Sequence, residues 1–414
     1  MACDAFDRRR TIVTDLEVPK KLRPLLEQAH AIAVNVFRPI SRKYDLAEHV
    51  YPKELDLLAA ILDGANAGGA GASASRLQRD ADAPEPEEAP KNRNGGNIAT
   101  VLGMMELCWG DVGLALTIPR QGLGNAALSA VGTDEQKKEW GKRWISMAIT
   151  EPNAGSDSAA IRTTARLDGD SWVISGEKIF VTAGERSDGV VVWATLDASL
   201  GRAAIKSFYV PKGAPGMKVV RLDHKLGIRA SDTATIVFDE CRVPKENILG
   251  SPEIDTDKSF AGAMKTFDNT RPVVAAMACG VARAALERTR EVLGLRRGDS
   301  RSPWLGTHVE AELVRLEAEL DAARLLTINA AWMADNRIPN SLQASMAKAK
   351  AGRTVTEVTS RCVELCGAVG YAETDLLEKW ARDAKILDIF EGTQQIQMLV
   401  VARRVLGKSS GELR

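Results

Sequence analysis

Cysteine is scarce in this sequence, with six residues at positions 3, 108, 241, 279, 362 and 366 of 414. That spacing supports no disulfide scaffold, and no basic-then-apolar leader opens the chain, so a reducing cytoplasm is the expected location. An excess of charge of one sign is also lacking. Lys+Arg 55 balance Asp+Glu 55, which removes the global electrostatic drive toward nucleic acid or an anionic membrane. No apolar run approaches the roughly 18 to 20 residues that cross a bilayer, so no membrane role is expected. The four histidines (His30, His49, His224, His308) are scattered and no H-E-x-x-H is present, so no metal centre is expected. Cys362 and Cys366 stand i, i+4 in an apolar helical pattern, which reads as core packing ahead of a redox or ligand pair. Gly407-Lys-Ser409-Ser-Gly411 matches G-x-S-x-G only within a polar C-terminal tail. Gly122-Leu-Gly124 has neither a third glycine at the required spacing nor a strand before it, so a dinucleotide-binding fingerprint is excluded.

What is present is an ordinary globular composition, 45% apolar and 27% charged, in a chain long enough for two to three domains. Apolar residues recur at helical spacing from residue 18 to about 63 (Leu22, Leu25, Leu26, His30, Ala33, then Leu55, Leu58, Ile61, Leu62) and again from Ile98 through Leu116. Between them, Gly64 to Gly96 is rich in Gly, Ala, Ser, Pro and charge and reads as a mobile surface loop. From about 145 to 250, β-branched and aromatic runs alternate with the turn residues Asp168-Gly-Asp170, Ser175-Gly176 and Lys212-Gly213, which predicts a compact antiparallel β-domain. Helices return over Val273 to Val292, Val309 to Met333, Ser341 to Cys366 and Thr393 to Leu406. The expected fold class is α+β, mainly α. A helical domain (1–144, with the 64–96 insert) precedes the β-domain (145–250) and a C-terminal helical bundle (251–414).

Three polar segments carry candidate chemistry. Ala148 to Asp157 follows a strand entry and presents backbone N–H groups with the hydroxyls of Thr150 and Ser156, suited either to a capped loop or to a polar ring system or anion. In Ile389-Phe390-Glu391-Gly-Thr-Gln-Gln-Ile-Gln397, Glu391 is either an ordinary residue before a helix or a partly desolvated carboxylate with raised basicity. In Thr266-Phe-Asp-Asn-Thr-Arg-Pro272, Asp268 and Arg271 either pair at a helix start or orient a polar ligand, with Pro272 expected in the first turn.

Taken together, ITEPNAGSD (149–157), GEKIFVT (176–182), LGIRASDT (226–233), VPKENILG (243–250), FDNTRP (267–272), ARDAKILDIFEGTQQIQ (381–397) and VARRVLG (401–407) resemble the acyl-CoA dehydrogenase family in content and order. The resemblance covers about residues 20 to 407 and fails over the insert. It implies FAD as cofactor, fatty-acid β-oxidation as the setting, and α,β-dehydrogenation of an acyl-CoA thioester to the trans-2-enoyl-CoA. By the same resemblance Glu391 is the base that takes the α-proton, since the family's alternative base position is Thr270 here. The flavin would be lined by Met147, Ala148, Ile149, Thr150 and Ser156, by Phe180, Val181 and Thr182, and by Thr393 and Gln395. Ser156, Asp268, Arg271 and Gly392 would face the acyl-CoA.

The sequence departs from the family pattern where a neighbour's FAD would be held. Gly294 to Gly306 lacks the Arg-x-x-Phe-Gly segment and the Gln that follows it, and Glu364 to Gly370 lacks the Gln-x-x-Gly-Gly-x-Gly loop. Glu364 would face a pyrophosphate with like charge. The implied partners are an electron-transfer flavoprotein as acceptor and a second, related subunit in an α₂β₂ complex, the alternative being a homotetramer. The rival readings are an acyl-CoA oxidase and a non-catalytic acyl-CoA- or flavin-binding subunit.

Overall fold

Small and aliphatic residues spaced three and four apart build long helices at both ends of the chain, and β-branched runs build the sheet between them. The computed structural model describes residues 18–59, 93–119, 122–254, 261–294, 307–409 and 412, with the backbone alone for 261–269 and 307. The N-terminal helices are α1 (Arg23–Ile32), α2 (Arg38–Leu46), α3 (Gly96–Gly110), α4 (Val112–Ala115), α5 (Leu123–Val131) and α6 (Asp134–Trp140). The strands are β1 (Ile145–Ala148), β2 (Thr164–Asp168), β3 (Ser171–Thr182), β4 (Gly189–Thr195), β5 (Ile205–Pro211), β6 (Met217–Leu222) and β7 (Thr233–Pro244). The chain then returns to helix in α7 (Ala261–Val292), α8 (Thr307–Asp335), α9 (Ser341–Tyr371), α10 (Leu377–Leu387) and α11 (Gln394–Leu406).

The helices of both ends bury one common core. Phe37, Leu102 and Cys108 from the N-terminal part pack with Val281, Ala285, Leu316, Val355 and Val358 from the C-terminal part. Cys362 and Cys366 lie buried and free in this core, and burial pushes the Cys362 thiol up to about 12, which suits packing and not redox exchange. The sheet has the order β1-β4-β2-β3-β7-β6, with β5 on the other side of β4. It encloses a separate core of Trp172, Ile174, Phe208, Ile236 and Phe238.

Several expectations are corrected. The sheet is mixed, because β1 runs parallel to β4 and β2 meets β4 in parallel. Ser175-Gly176 is not a turn: β3 runs through it, and Gly176 (φ 153) accommodates a shift of register against β7 that a side chain would block against Thr163. Pro272 does not open a helix, since α7 begins at Ala261 and carries it in the interior. Residues 93–96 do not belong to the loop. The backbone N–H of Arg93 donates to Asn336, and those of Gly95, Asn97 and Ile98 donate to Asp335 at 2.7 to 3.1 Å, so a carboxylate from α8 caps α3. Residues 64–92 lie outside the described part.

A buried charge cluster ties all three parts together. The Lys379 ammonium of α10 lies 2.7 Å from Asp111 and 2.5 Å from Asp383. Asp111 also accepts from the Ser41 hydroxyl and the Leu114 N–H, and Asp383 accepts from the Ile228 N–H at 2.6 Å, on the loop between β6 and β7.

Candidate active site

Between α10 and α11 the chain makes a tight turn carrying Glu391 (φ 58) and Gly392 (φ 89). A left-handed backbone costs little at glycine but is uncommon at glutamate, so the turn persists because its surroundings hold it. Those surroundings are specific. Lys348, from a buried stripe of small residues on α9, donates to the carbonyl oxygens of Gly392 (2.6 Å) and Asp388 (3.1 Å). The buried Gln397 amide donates to the Glu391 carbonyl at 2.9 Å. A Cβ at Gly392 would come within 2.4 Å of that amide nitrogen and would be strained at φ 89, so a side chain there would displace the Gln397 amide. Thr393 caps α11, its hydroxyl accepting from the Ile396 N–H.

The Glu391 carboxylate accepts from the Thr270 hydroxyl at 2.8 Å, so the two alternative base positions face each other. Dense protein around it raises its pKa, and the Thr270 hydrogen bond and the charges of Arg271 and Lys348 oppose that rise without cancelling it. Arg271 is buried in α7 and donates to the Ser345 hydroxyl. Burial pushes Lys348 down to about 8. The cluster is thus a desolvated carboxylate within a cationic frame, the arrangement expected of a proton acceptor more basic than glutamate in water.

A second cluster forms where the chain leaving β1 meets β3. The Ile179 N–H donates to the Thr150 carbonyl at 2.9 Å. Behind it the buried Lys178 ammonium bonds the Ile149 carbonyl (3.0 Å) and Glu151 (2.7 Å), and Glu151 also accepts from the Arg162 and Thr163 N–H groups and the Thr163 hydroxyl. Burial pushes Lys178 down to about 8. Burial also acts to raise Glu151, but its hydrogen bonds outweigh that and hold it below the usual carboxylate range. This pair makes the segment rigid from beneath. On its open side Phe180, at φ 58, leaves 62% of its surface exposed, and Ser156 is also exposed.

The site residues expected from sequence fall in these two clusters unevenly. Glu391, Gly392, Thr393 and Arg271 gather around the turn, and Gln395 is exposed on the first turn of α11. Met147, Ile149, Thr150 and Thr182 are partly exposed, whereas Ala148 and Val181 are buried in the sheet core and present no surface to a ligand. Asp268 lies on α7, its side chain outside the described residues. Lys348, Gln397 and the Lys178–Glu151 pair are further parts of these clusters that no local pattern in the sequence singles out. The one signal for Lys348 was a lysine amid Ala344, Ala347, Ala351 and Gly352, a stripe otherwise built for close helix packing.

Residues 146–241 match the family model for the acyl-CoA dehydrogenase middle domain, and residues 259–406 match that for the C-terminal domain. The human mitochondrial short-chain specific acyl-CoA dehydrogenase is 32% identical over 413 residues, covering 97% of this chain and 94% of that protein. The chain belongs to the acyl-CoA dehydrogenase family. The corresponding bovine enzyme is 39% identical over 281 residues, 66% of this chain and 67% of that protein. Butyryl-CoA dehydrogenase of Megasphaera elsdenii superposes with a TM-score of 0.82 at 29% identity, over 95% of this chain and all of the other. With its family the chain is a flavin oxidoreductase of fatty-acid metabolism that takes FAD. The exposed Phe180 ring, with the partly exposed Met147, Ile149 and Thr150, fits that group, since it offers an apolar surface of the kind a planar ring system covers.

Replacing Lys348 by Met is expected to lower kcat by about 10- to 100-fold, because the turn carrying Glu391 loses two anchors. It also removes a positive charge that lowers the Glu391 pKa, so the acid limb of kcat/KM must move to higher pH. A pH profile separates this from a loss of folded protein, which lowers the rate and leaves the limb in place.

Proposed function

We propose that this chain oxidises an acyl-CoA thioester at its Cα–Cβ bond, with Glu391 as the base that removes the α-proton. The observation carrying this reading is the desolvated Glu391 carboxylate, held by Thr270 in a turn pinned by Lys348 and Gln397. The thioester makes the α-proton acidic enough for a carboxylate of raised pKa, and Arg271 and Lys348 stabilise the charged form of the base before it acts. Bound FAD would supply the hydride acceptor for Cβ, so that the acyl-CoA would lose its α-proton to Glu391 and one hydride and leave as the enoyl-CoA. Met147 to Thr150, Ser156, Phe180 to Thr182, Thr393 and Gln395 would hold that group, while Ser156, Asp268, Arg271 and Gly392 would position the thioester.

Relatives named short-chain specific support a short acyl group. The test is mass analysis of products from butyryl-CoA and a long-chain acyl-CoA. The expected result is a product two hydrogens lighter, with kcat/KM at least about tenfold lower for the long chain. A relative named as a subunit of a caffeyl-CoA reductase–Etf complex is 33% identical over 298 residues, which supports an electron-transfer flavoprotein as acceptor. Steady peroxide formation during turnover would instead mark an oxidase.

The assembly we propose is α₂β₂, with this chain as the catalytic partner. Its support is the altered 294–306 and 364–370 segments, together with α11, which leaves Met398, Leu399, Val405 and Leu406 exposed for a neighbour to cover. Glu364 is ion-paired with Arg361, which softens the repulsion expected of it. Residues 295–306 lie outside the described part. Coexpression with a related subunit is expected to give an active complex with fewer flavins than chains, measured as flavin absorbance per protein. One tight FAD per chain in an active homotetramer contradicts this assembly.

A further inference from the structure

Two of the histidines that are far apart in sequence meet at the junction of the N-terminal helices and the sheet. Glu48 and His49 follow α2, and His224 follows β6. One ring nitrogen from each histidine and one carboxylate oxygen of Glu48 lie within 4.8 Å of one another. His224 Nδ1 is 2.8 Å from Glu48 Oε2, the other Glu48 oxygen accepts from the Lys225 N–H at 2.9 Å, and the two rings stand 5.2 Å apart. Both ring nitrogens of His49 are buried from solvent and have no hydrogen-bond partner among the described residues. An imidazole left so pays the desolvation of two polar atoms and recovers nothing, unless something absent from the protein itself completes it. Its backbone is held at φ 69, with its carbonyl accepting from Arg186 at 3.1 Å.

We propose that Glu48, His49 and His224 bind one divalent transition-metal ion, of which Zn²⁺ fits best, and that the ion clamps α2 to the loop after β6. Two imidazoles and a carboxylate select zinc, nickel or cobalt over magnesium or calcium, which prefer all-oxygen shells. Ligand atoms on a tetrahedral zinc with bonds of about 2.0–2.1 Å stand about 3.3 Å apart, so side-chain rotation has to close the remaining gap. Two cations, Lys225 and Arg186, face the site and oppose the ion, while Glu48 and Asp223, whose Oδ2 is buried and unbonded among the described residues, offset them. Nothing in this cluster belongs to the flavin or acyl-CoA machinery.

The experiment is calorimetric titration of ZnCl₂ and MgCl₂ into chelator-treated, FAD-loaded protein, with melting temperature read alongside and Co²⁺ used as a spectroscopic probe. The expected result is one Zn²⁺ per chain, a raised melting temperature, cobalt absorption bands of a nitrogen–oxygen site, and no response to Mg²⁺. His224→Ala, at a position whose side chain is 84% exposed and unneeded for packing, should weaken zinc by at least about tenfold while melting normally without it. His49→Ala should do the same to the affinity. Absence of binding, or wild-type affinity in both variants, overturns the proposal.

Discussion

Glu391→Gln is expected to reduce turnover of acyl-CoA by at least about 10²- to 10⁴-fold while FAD content and assembly stay as in the wild type. Glutamine keeps the shape of the side chain and an oxygen for the Thr270 hydroxyl, and loses only the ability to take a proton. The same substitution should not destabilise the protein. Because the folded pKa of Glu391 is raised, the half-buried carboxylate opposes folding once ionised. That cost is absent below the ordinary glutamate pKa of about 4.3 and grows as pH rises toward the folded value. The variant should therefore melt at or above the wild-type temperature at pH 8, with the difference vanishing in acid. In the wild type kcat/KM should fall as pH drops through that raised value, since only the ionised carboxylate acts as base. A folded, FAD-loaded variant of full activity would remove Glu391 from the role assigned to it.

Lys379→Met should have the largest effect on stability. It leaves Asp111 and Asp383 buried and facing each other without their cation, and removing one partner from a buried ion cluster costs about 3–5 kcal/mol. Burial and the charge of Asp111 already raise the Asp383 pKa against the pull of Lys379, which is itself held protonated by the two acids. The loss should show as a lower urea midpoint at pH 7. It should shrink as pH falls through the carboxylate range, where protonation relieves the repulsion. An unchanged midpoint would mean that the three parts of the fold do not depend on this cluster.

How far these features could be read from the sequence varies with the distance over which they are determined. The seam Leu313, Leu316, Leu320 and Ala323 and the strands Val190 to Trp193 and Thr235 to Phe238 declare themselves locally, and they fold as their periodicity predicts. Leu377, Trp380, Ala384 and Leu387 have the same spacing and are all buried, and the short α10 that carries them is not among the helices expected from sequence, because its many charged residues obscure the stripe. Strand β2 is exposed except at Ala165 and β6 has no fully buried residue, so neither shows a clear buried face. Pro272 misled because a proline inside a helix costs about 3 kcal/mol in isolation, a penalty that the packing of a 32-residue helix absorbs. The FEGT turn was legible as a place, through its acid beside apolar residues. What makes it chemically competent was not: Thr270, Lys348 and Gln397 reach it from three helices. Likewise no local pattern announces that His49 and His224 meet, or that Asp335 caps a helix more than two hundred residues away.

The most direct measurement of the central claim is anaerobic mixing of the FAD-loaded protein with butyryl-CoA, following flavin absorbance and enoyl-CoA together. The account predicts bleaching of the wild-type flavin with one enoyl-CoA formed per flavin reduced, and an oxidised flavin that persists in Glu391→Gln with substrate still bound. Bleaching of that variant at the wild-type rate, or a wild-type flavin that stays oxidised under saturating acyl-CoA, would contradict it.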